Sequence, residues 1–360
     1  MEKKKTAVVV GTGWPALQHI KGYQKVNTEV TAICDVNEER CSRVADEFSI
    51  PRKYLDFQQM LEKEKPDMVS VCTPNWLHSK MSIDAMLHGA NVICEKPMAS
   101  SVEDAKAMID TQKKTGKLLM IAHQRRFSPQ AQYLKKIIDE GALGEIYHAR
   151  AYWVRRQGIP GIGGWFTQKK MSGGGALIDI GVHMLDLALW FLGHPEPMRV
   201  ESAWGSRFGV SGKGASGYAS VKKSIKADFD VDDYVFAHVN YPRGVSLQLQ
   251  CSWAGFIKSE ESNIELWGEK GGARLFPLEI FTEMHNEQVD IIPTINEVNP
   301  FDEEIRLFIE AVTNDLPPPY DPCEGLKVVE LINLIYKNGN CDFRKDVSGE
   351  TSEKNRFEMV

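Results

Sequence analysis

The sequence predicts an α/β protein in two parts: a doubly wound parallel sheet, then an α+β unit with a large, mainly antiparallel open sheet. Three observations carry this. Up to residue 124, short apolar runs alternate with amphipathic, helix-like segments, and the runs are nearly continuous, as strands covered on both faces must be. After Arg125 the pattern turns to period-two alternation with hairpin signals, the mark of an antiparallel sheet. At 360 residues the chain also exceeds the roughly 250–300 at which a single core stops growing. The reading is therefore a first domain over 1–124, a second over 125–340 and a polar tail over 341–360.

Strands are expected at Thr6–Val10, Glu29–Cys34, Met68–Cys72, Asn91–Cys94 and Lys117–Ile121. Between them, Asn37–Glu47, Leu77–Leu87 and Val102–Thr115 carry helical spacing. Ser100-Ser101-Val102-Glu103 supplies a capping box for the last. In the second part Glu145–Val154 alternates, and a Gly-rich loop at Gly158–Gly164 leads to a long apolar helix, Ala176–Leu192. Strands follow at Arg199–Trp204, Asp232–Val239, Val245–Trp253 and Asn263–Trp267, with Tyr241-Pro242-Arg243-Gly244 as a hairpin turn. Helices at Asp302–Thr313 and Glu324–Tyr336 are expected to pack back on the body, and the tail from Asp342 to be poorly ordered.

Composition excludes several classes of function. Hydrophobic content of 42% and charged content of 26% are ordinary for a soluble globular chain. A net charge of −6 and a pI near 5.9 leave no basic footprint for nucleic acid and disfavour anionic membranes. Met1-Glu2-Lys3-Lys4-Lys5 runs into Val8-Val9-Val10, too short for a signal-peptide core, and no apolar run is expected to reach membrane-spanning length. The seven cysteines, Cys34, Cys41, Cys72, Cys94, Cys251, Cys323 and Cys341, are scattered and lack C-x-x-C spacing. They read as packing thiols in a reducing, cytoplasmic compartment, with neither a disulfide framework nor a metal site.

Gly11-x-Gly13-x-x-Ala16 follows the first strand and opens a helix. Gly11 permits the tight turn, Gly13 lets backbone approach a pyrophosphate, and Ala16 lets helix and strand pack closely; Thr12 and Trp14 share the turn. Asp35 ends the second strand, where an acid grips the adenosine ribose hydroxyls and repels a 2′-phosphate. That pairing makes the first domain a Rossmann unit for NAD rather than NADP, although Arg40 is a nearby group that a phosphate could recruit. Thr73-Pro74-Asn75-Trp76-Leu77-His78 lies at the carboxyl end of the strand Met68–Cys72, on the ligand-binding edge. Thr73, Pro74 and Asn75 are expected at the ribose or nicotinamide, with Asn75 alternatively a helix cap. His78 is either structural or cofactor-side.

Cys94-Glu95-Lys96-Pro97 puts an ammonium at the mouth of a buried strand, a costly placement, and Pro97 ends that strand by removing a donor. There Lys96 would hydrogen-bond a substrate hydroxyl and lower its pKa; the alternative is an ion pair with Glu95 or another carboxylate. Ser172-Gly173-Gly174-Gly175 starts the apolar helix, along which Asp179, His183 and Asp186 recur at i, i+4 and i+7. His183 is read as the group that takes a hydroxyl proton while hydride leaves the same carbon. Asp179 would orient it, stabilise its charge or hold a neighbouring hydroxyl. Asp186 reads as a helix-surface acid.

Together these residues resemble the Gfo/Idh/MocA oxidoreductase family, whose founders act on sugars and inositol. The likeness runs from Val8 to Tyr336. It is most specific at Glu95-Lys96-Pro97, Arg125-Arg126-Phe127 and Asp179-Ile180-Gly181-Val182-His183-Met184-Leu185-Asp186. It implies Lys96, Asp179 and His183 as the catalytic set, Gly11, Gly13 and Asp35 at the cofactor, Glu95 near the nicotinamide and a cis Lys96–Pro97 bond. It also implies that the open sheet mediates homodimers or homotetramers. The segment from Arg155 to Phe166 is less familiar. There Trp165 offers an apolar face to a sugar, and Arg125 and Arg156 are candidate substrate contacts. Arg155, Arg156, Lys169 and Lys170 either bind a phosphate or carboxylate or form a solvated basic face.

The expectation is an NAD(P)-dependent dehydrogenase passing a hydride between the nicotinamide and a secondary hydroxyl or ketone of a sugar, cyclitol or sugar derivative. His183 would be its acid/base and Lys96 would stabilise the alkoxide. Two rivals are an NAD-dependent glycosidase acting by transient oxidation and a non-catalytic NAD(H)-sensing regulator. The intact Lys96/Asp179/His183 set counts against the second.

Overall fold

A computed structural model describes residues 5–216 and 229–343. The expectations for residues 1–4 and for the tail beyond residue 343 lie outside the described residues. The first part holds β1 (Thr6–Val10), α1 (Trp14–Lys25), β2 (Glu29–Cys34), α2 (Glu38–Phe48), β3 (Arg52–Tyr54), α3 (Phe57–Glu64), β4 (Met68–Val71), α4 (His78–Leu87), β5 (Asn91–Glu95), α5 (Val102–Thr115) and β6 (Leu119–Ala122). Its six strands are parallel, in the order β3-β2-β1-β4-β5-β6. Every residue of β4 and β6 is buried because helices cover both faces. Met60, Met86 and Met108 fill one side, and Ile20, Tyr23 and Ile33 the other.

The sheet order reverses between β1 and β4, which opens a crevice at their carboxyl ends. Gly11 stands at this switch point with φ of +88°, and a Cβ there would overlap the carbonyl of Cys72. Both the backbone region and the close approach exclude a side chain.

The second part contains α6 (Pro129–Asp139), β7 (Ile146–Val154), α7 (Lys169–Ser172), α8 (Val182–Leu192), β8 (Arg199–Ser206), β9 (Tyr234–Asn240), β10 (Ser246–Ser252), β11 (Glu261–Gly268), β12 (Gly271–Arg274), β13 (Glu279–Met284), β14 (Glu287–Ile291), α9 (Pro300–Thr313), α10 (Pro322–Lys337) and β15 (Gly339–Phe343). Nine strands form one sheet, ordered β14-β13-β12-β11-β7-β10-β9-β8-β15. Neighbours are antiparallel except β7 with β10 and β8 with β15. Leu185 and Leu189 of α8 pack with Ala149, Ala151, Leu247, Leu249, Ile264 and Leu266 in the inner-face core. The opposite face shows Phe236, Trp267 and Phe281 to solvent.

Four features depart from the sequence reading. The three-residue β3 and the Gly-rich or charged β12–β14 lack an apolar run and were not expected. The expected tail begins inside a strand, since Cys341 pairs with Trp204 at the sheet edge. α9 joins the first sheet's core, where Ile305 and Phe308 sit with Ile20 and Tyr23. Finally, the helical stretch Lys169–Leu192 is long and apolar enough to cross a membrane by length and composition, but 83% of its apolar window is buried in the core.

Gly11→Ala is expected to lower stability by about 2 kcal/mol or more, from the positive φ and the clash together. A urea unfolding midpoint equal to that of the parent protein would refute the close approach.

Candidate active site

The carboxyl edge of the six-stranded sheet collects the expected cofactor residues. Gly13 is the N-cap of α1 and offers no side-chain cap, so the first amides of the helix keep their donors for an anion. Thr12 is buried, whereas Trp14 is half exposed and packs edge-on against Phe301 at 5.3 Å. Asp35 accepts from the Thr12 amide (3.0 Å) and hydroxyl (2.6 Å), the Asn37 amide (2.8 Å) and Arg40 Nη2 (2.8 and 2.9 Å). Burial raises its carboxyl pKa, but the bonds from Arg40 and Thr12 outweigh that and hold it below the usual range. Asp35 is thus ionised, with Arg40 already spent on it.

Across the switch point, Thr73 Oγ1 is buried with no partner among the described residues, an open polar group beside the crevice. Asn75 does not cap. Its Nδ2 donates to the Ser172 carbonyl at 2.7 Å and so ties β4 to the second domain. His78 is buried with both ring nitrogens 2.8 Å from backbone carbonyls, those of Pro97 and Thr73. That geometry makes it a brace between two loops and leaves no ring nitrogen for a cofactor. Glu95 turns inward to His19 Nε2 at 3.3 Å, and burial, which opposes ionisation, is overcome by that histidine. The Lys96–Pro97 peptide bond is cis.

The helix bearing Asp179 and His183 is anchored from a distant strand. Asp232, just before β9, accepts from the amides of Gly175 (2.7 Å) and Leu177 (3.0 Å) through its carboxylate and from Ala176 (3.0 Å) through its carbonyl. These satisfy the helix's orphan donors, and Tyr336 donates a further bond to Asp232 at 2.7 Å. The first turn, Leu177–Gly181, is π-helical. Within it Asp179 meets Lys96: Lys96 Nζ donates to the Asp179 carbonyl at 2.9 Å and lies 3.7 Å from Oδ1. Asp179 Oδ2 accepts from Trp253 Nε1 at 2.9 Å. His183 is 7% exposed, its Nδ1 has no partner among the described residues, and its ring faces Trp153 at 6.0 Å. Burial first, then Lys96 and Arg125, pushes its imidazole well below the ordinary 6.5. The imidazole is therefore neutral at neutral pH.

Asp186 is not a surface acid. It is 1% exposed and takes a bidentate bond from Arg126, Nε to Oδ2 at 2.9 Å and Nη2 to Oδ1 at 2.6 Å. Arg126 also reaches Glu324 on α10. The motif around Arg126 flagged the residue, but its partner lies 60 positions away and no local pattern joins them. His123 sits beside the pair, with Nδ1 3.5 Å from Asp186 Oδ1 and neither nitrogen hydrogen-bonded among the described residues. Trp253 was also missed as a site residue, although alternation along Leu247, Leu249 and Cys251 puts it on the inner face.

The remaining expected contacts differ in character. Arg125 lies over Trp153 at 4.3 Å, and burial with neighbouring Arg155 pushes it down to about 10. Arg155 stacks on the same indole at 4.6 Å and bonds Glu260 at 3.3 Å. Arg156 is exposed and donates to the Lys258 carbonyl at 3.1 Å, so it braces a loop. Trp165 is half-buried and stacked on Phe166 at 3.8 Å. Among the described residues no cluster could hold a metal ion.

Residues 5–123 match the model of an oxidoreductase family with an NAD-binding Rossmann fold, and residues 131–274 match the GFO/IDH/MocA C-terminal domain. The chain belongs to the Gfo/Idh/MocA oxidoreductase family. Over 321 residues, 89% of this chain and 90% of the relative, it is 33% identical to D-glucoside 3-dehydrogenase of Escherichia coli (strain K12). It is 28% identical to levoglucosan dehydrogenase of Pseudarthrobacter phenanthrenivorans over 66% of this chain and 63% of that one. Its fold matches that of a levoglucosan dehydrogenase solved with NADH and levoglucosan, with a TM-score of 0.81 at 21% identity over 93% and 97% of the two chains. Family membership makes the protein an NAD(P)-dependent oxidoreductase acting on CH–OH groups, with NAD as its cofactor.

Burial pushes the His123 imidazole down to about 4, and Arg126 adds to that against the pull of Asp186. An unfolded histidine titrates near 6.5, so below that pH the unfolded chain binds the proton first. Stability should therefore fall as pH drops from 6.5 to 4, by about 3 kcal/mol from this residue at the lower end. His123→Leu is expected to flatten that slope in thermal unfolding; an unchanged slope would show that His123 is not held neutral.

Proposed function

We propose that the protein oxidises a secondary ring hydroxyl of a sugar, cyclitol or sugar derivative, and that a glucoside is the first substrate to test. The observation that carries this is the meeting of Lys96 with Asp179 one turn before His183, at the carboxyl edge of an NAD-binding sheet. The similarity to D-glucoside 3-dehydrogenase supports the substrate class.

In this reading the residues fit the cofactor. The amides of Gly13 and Trp14 receive the pyrophosphate, those of Gly11 and Thr12 being held by Cys34 and Asp35, and ionised Asp35 takes the ribose hydroxyls and disfavours a 2′-phosphate. Thr73 offers its free hydroxyl to the nicotinamide half, with Pro74, Glu95 and Lys96 shaping that end. Bound NAD+ supplies the carbon that receives the hydride. The substrate hydroxyl lies between Lys96, whose ammonium stabilises the developing alkoxide, and neutral His183, which takes the proton. The C–H pair leaves as hydride, the O–H proton passes to His183, and the carbinol carbon becomes a ketone. Reduction runs the same steps backwards. Arg125, which lies over the Trp153 ring, turns its donors to a neighbouring sugar oxygen. Assembly follows from the outer face of the large sheet, where Phe236, Trp267 and Phe281 form a surface that a second copy would cover.

With inositols, aldoses, glucosides, sugar acids and sugar phosphates as a panel and NAD+ as oxidant, one compound should be turned over. Lys96→Ala should lose at least about 100-fold in kcat while retaining NADH binding. Undiminished turnover in that variant would sink the assignment. The acid limb of kcat/KM for oxidation should lie well below pH 6.5, because His183 is held deprotonated. A limb centred at 6.5 or above would point to another base.

A further inference from the structure

Lys96 and Asp179 form an unusual pair. Both side chains are mostly buried, at 16% and 19% exposure, yet the ammonium stops 3.7 Å from the nearest carboxylate oxygen while bonding the same residue's carbonyl at 2.9 Å. An unrestrained ammonium and carboxylate in such a setting close to about 2.8 Å. The restraint visible in the structure is Trp253, whose Nε1 donates to the other carboxylate oxygen at 2.9 Å. An indole nitrogen only donates, so the direction of this bond is fixed.

Trp253 has little freedom to follow the carboxylate. It is fully buried, and its amide donates to the Asp233 carbonyl at 2.8 Å. Two residues earlier, Cys251 abuts the π-helical turn itself, where a Cβ on Gly181 would come within 2.9 Å of its sulfur. The end of β10 and the turn bearing Asp179 are therefore packed as one piece. A π-turn is rare and occurs mostly at functional sites. Here it carries Asp179, placed between Trp253 and Lys96.

We propose that Trp253 is a positioning residue whose indole N–H holds the Asp179 carboxylate off Lys96, leaving ammonium donors free for the substrate oxygen. The inference rests on the dehydrogenase reading above. Without the indole donor the carboxylate closes on Nζ, and Lys96 enters catalysis already paired.

The test replaces Trp253 by benzothienylalanine, which keeps the two-ring shape and deletes only the donor, with Trp253→Phe beside it. Each is also combined with Asp179→Asn. On the panel compound that the parent enzyme oxidises, kcat should fall about 10- to 100-fold, the range for a hydrogen bond to a charged group. KM should stay within about threefold and NADH affinity should be unchanged, a split that general loosening of the core would not give. In the Asp179→Asn background the Trp253 replacement should cost less than about twofold, because the charge it restrains is gone. A crystal structure of the benzothienylalanine protein should show the Nζ–Oδ1 separation shortened from 3.7 Å. An unshortened separation, kcat within about twofold of the parent, or an equal loss in the Asp179→Asn background would overturn the proposal while leaving the dehydrogenase reading intact. Full turnover by Asp179→Asn would overturn the role of Asp179 and this proposal with it.

Discussion

The site depends on one buried ion pair, Arg126 with Asp186. Arg126 leaves the end of β6, and Asp186 lies on α8, so the bidentate bond fixes how the second domain's central helix sits against the edge of the first sheet. Burying these charges is expensive, and the arrangement holds only because each is fully engaged. Glu324 takes a further guanidinium donor, and Tyr320 covers the cation at 4.5 Å. Burial would raise the Asp186 carboxyl, yet Arg126 keeps it below the usual range, so the pair stays charged. His183 lies one turn before Asp186 and Asp179 two turns before it. Fixing the rotation of α8 therefore fixes both residues relative to Lys96.

The electrostatics of the cleft follow from that placement. Lys96, Arg125 and Arg155 surround an imidazole already desolvated by burial, and each makes the protonated form less favourable. The cations are not left bare. Lys96 faces Asp179, Arg155 bonds Glu260, and Arg125 is spread over the Trp153 ring. Of the three, Arg125 is the one set against an aromatic face and not bonded to an acid.

Elements with continuous apolar runs were legible in the sequence, since burial on both faces writes itself into composition. β1, β2 and α5 fall where expected, although α5 is capped by Ser101 with Asp104 and not by the Ser100–Glu103 spacing of the expected box. Short or polar elements were not: β3 has three residues, and β12 to β14 hold their places by pairing rather than by burial. The site divides the same way. The glycine turn, Asp35, Lys96 and the i, i+4 relation of Asp179 and His183 are local signals. The partners that complete them are not, because Trp253 lies 74 positions from Asp179 and Asp232 lies 57 from Gly175. Asp186 was misread for the same reason: a lone acid on a helix reads as surface until its arginine is found.

Those distant partners also tie the two domains together. Asn75 to Ser172, Lys96 to Asp179 and Arg126 to Asp186 cross between them in three places, and Ile332 and Val329 of α10 enter the cores of both. Hydride transfer tolerates little error in the distance between donor and acceptor carbons. In the proposed reaction one reacting partner is held by the first sheet, whereas His183, the proposed proton acceptor, rides on a helix of the second. A hinge at this junction would move the two apart with every opening. A welded junction instead converts the rigidity of two hydrophobic cores into a fixed relation between Lys96 and His183. The expense of burying Arg126 and Asp186 is then the cost of that fixed relation rather than a contribution to stability alone.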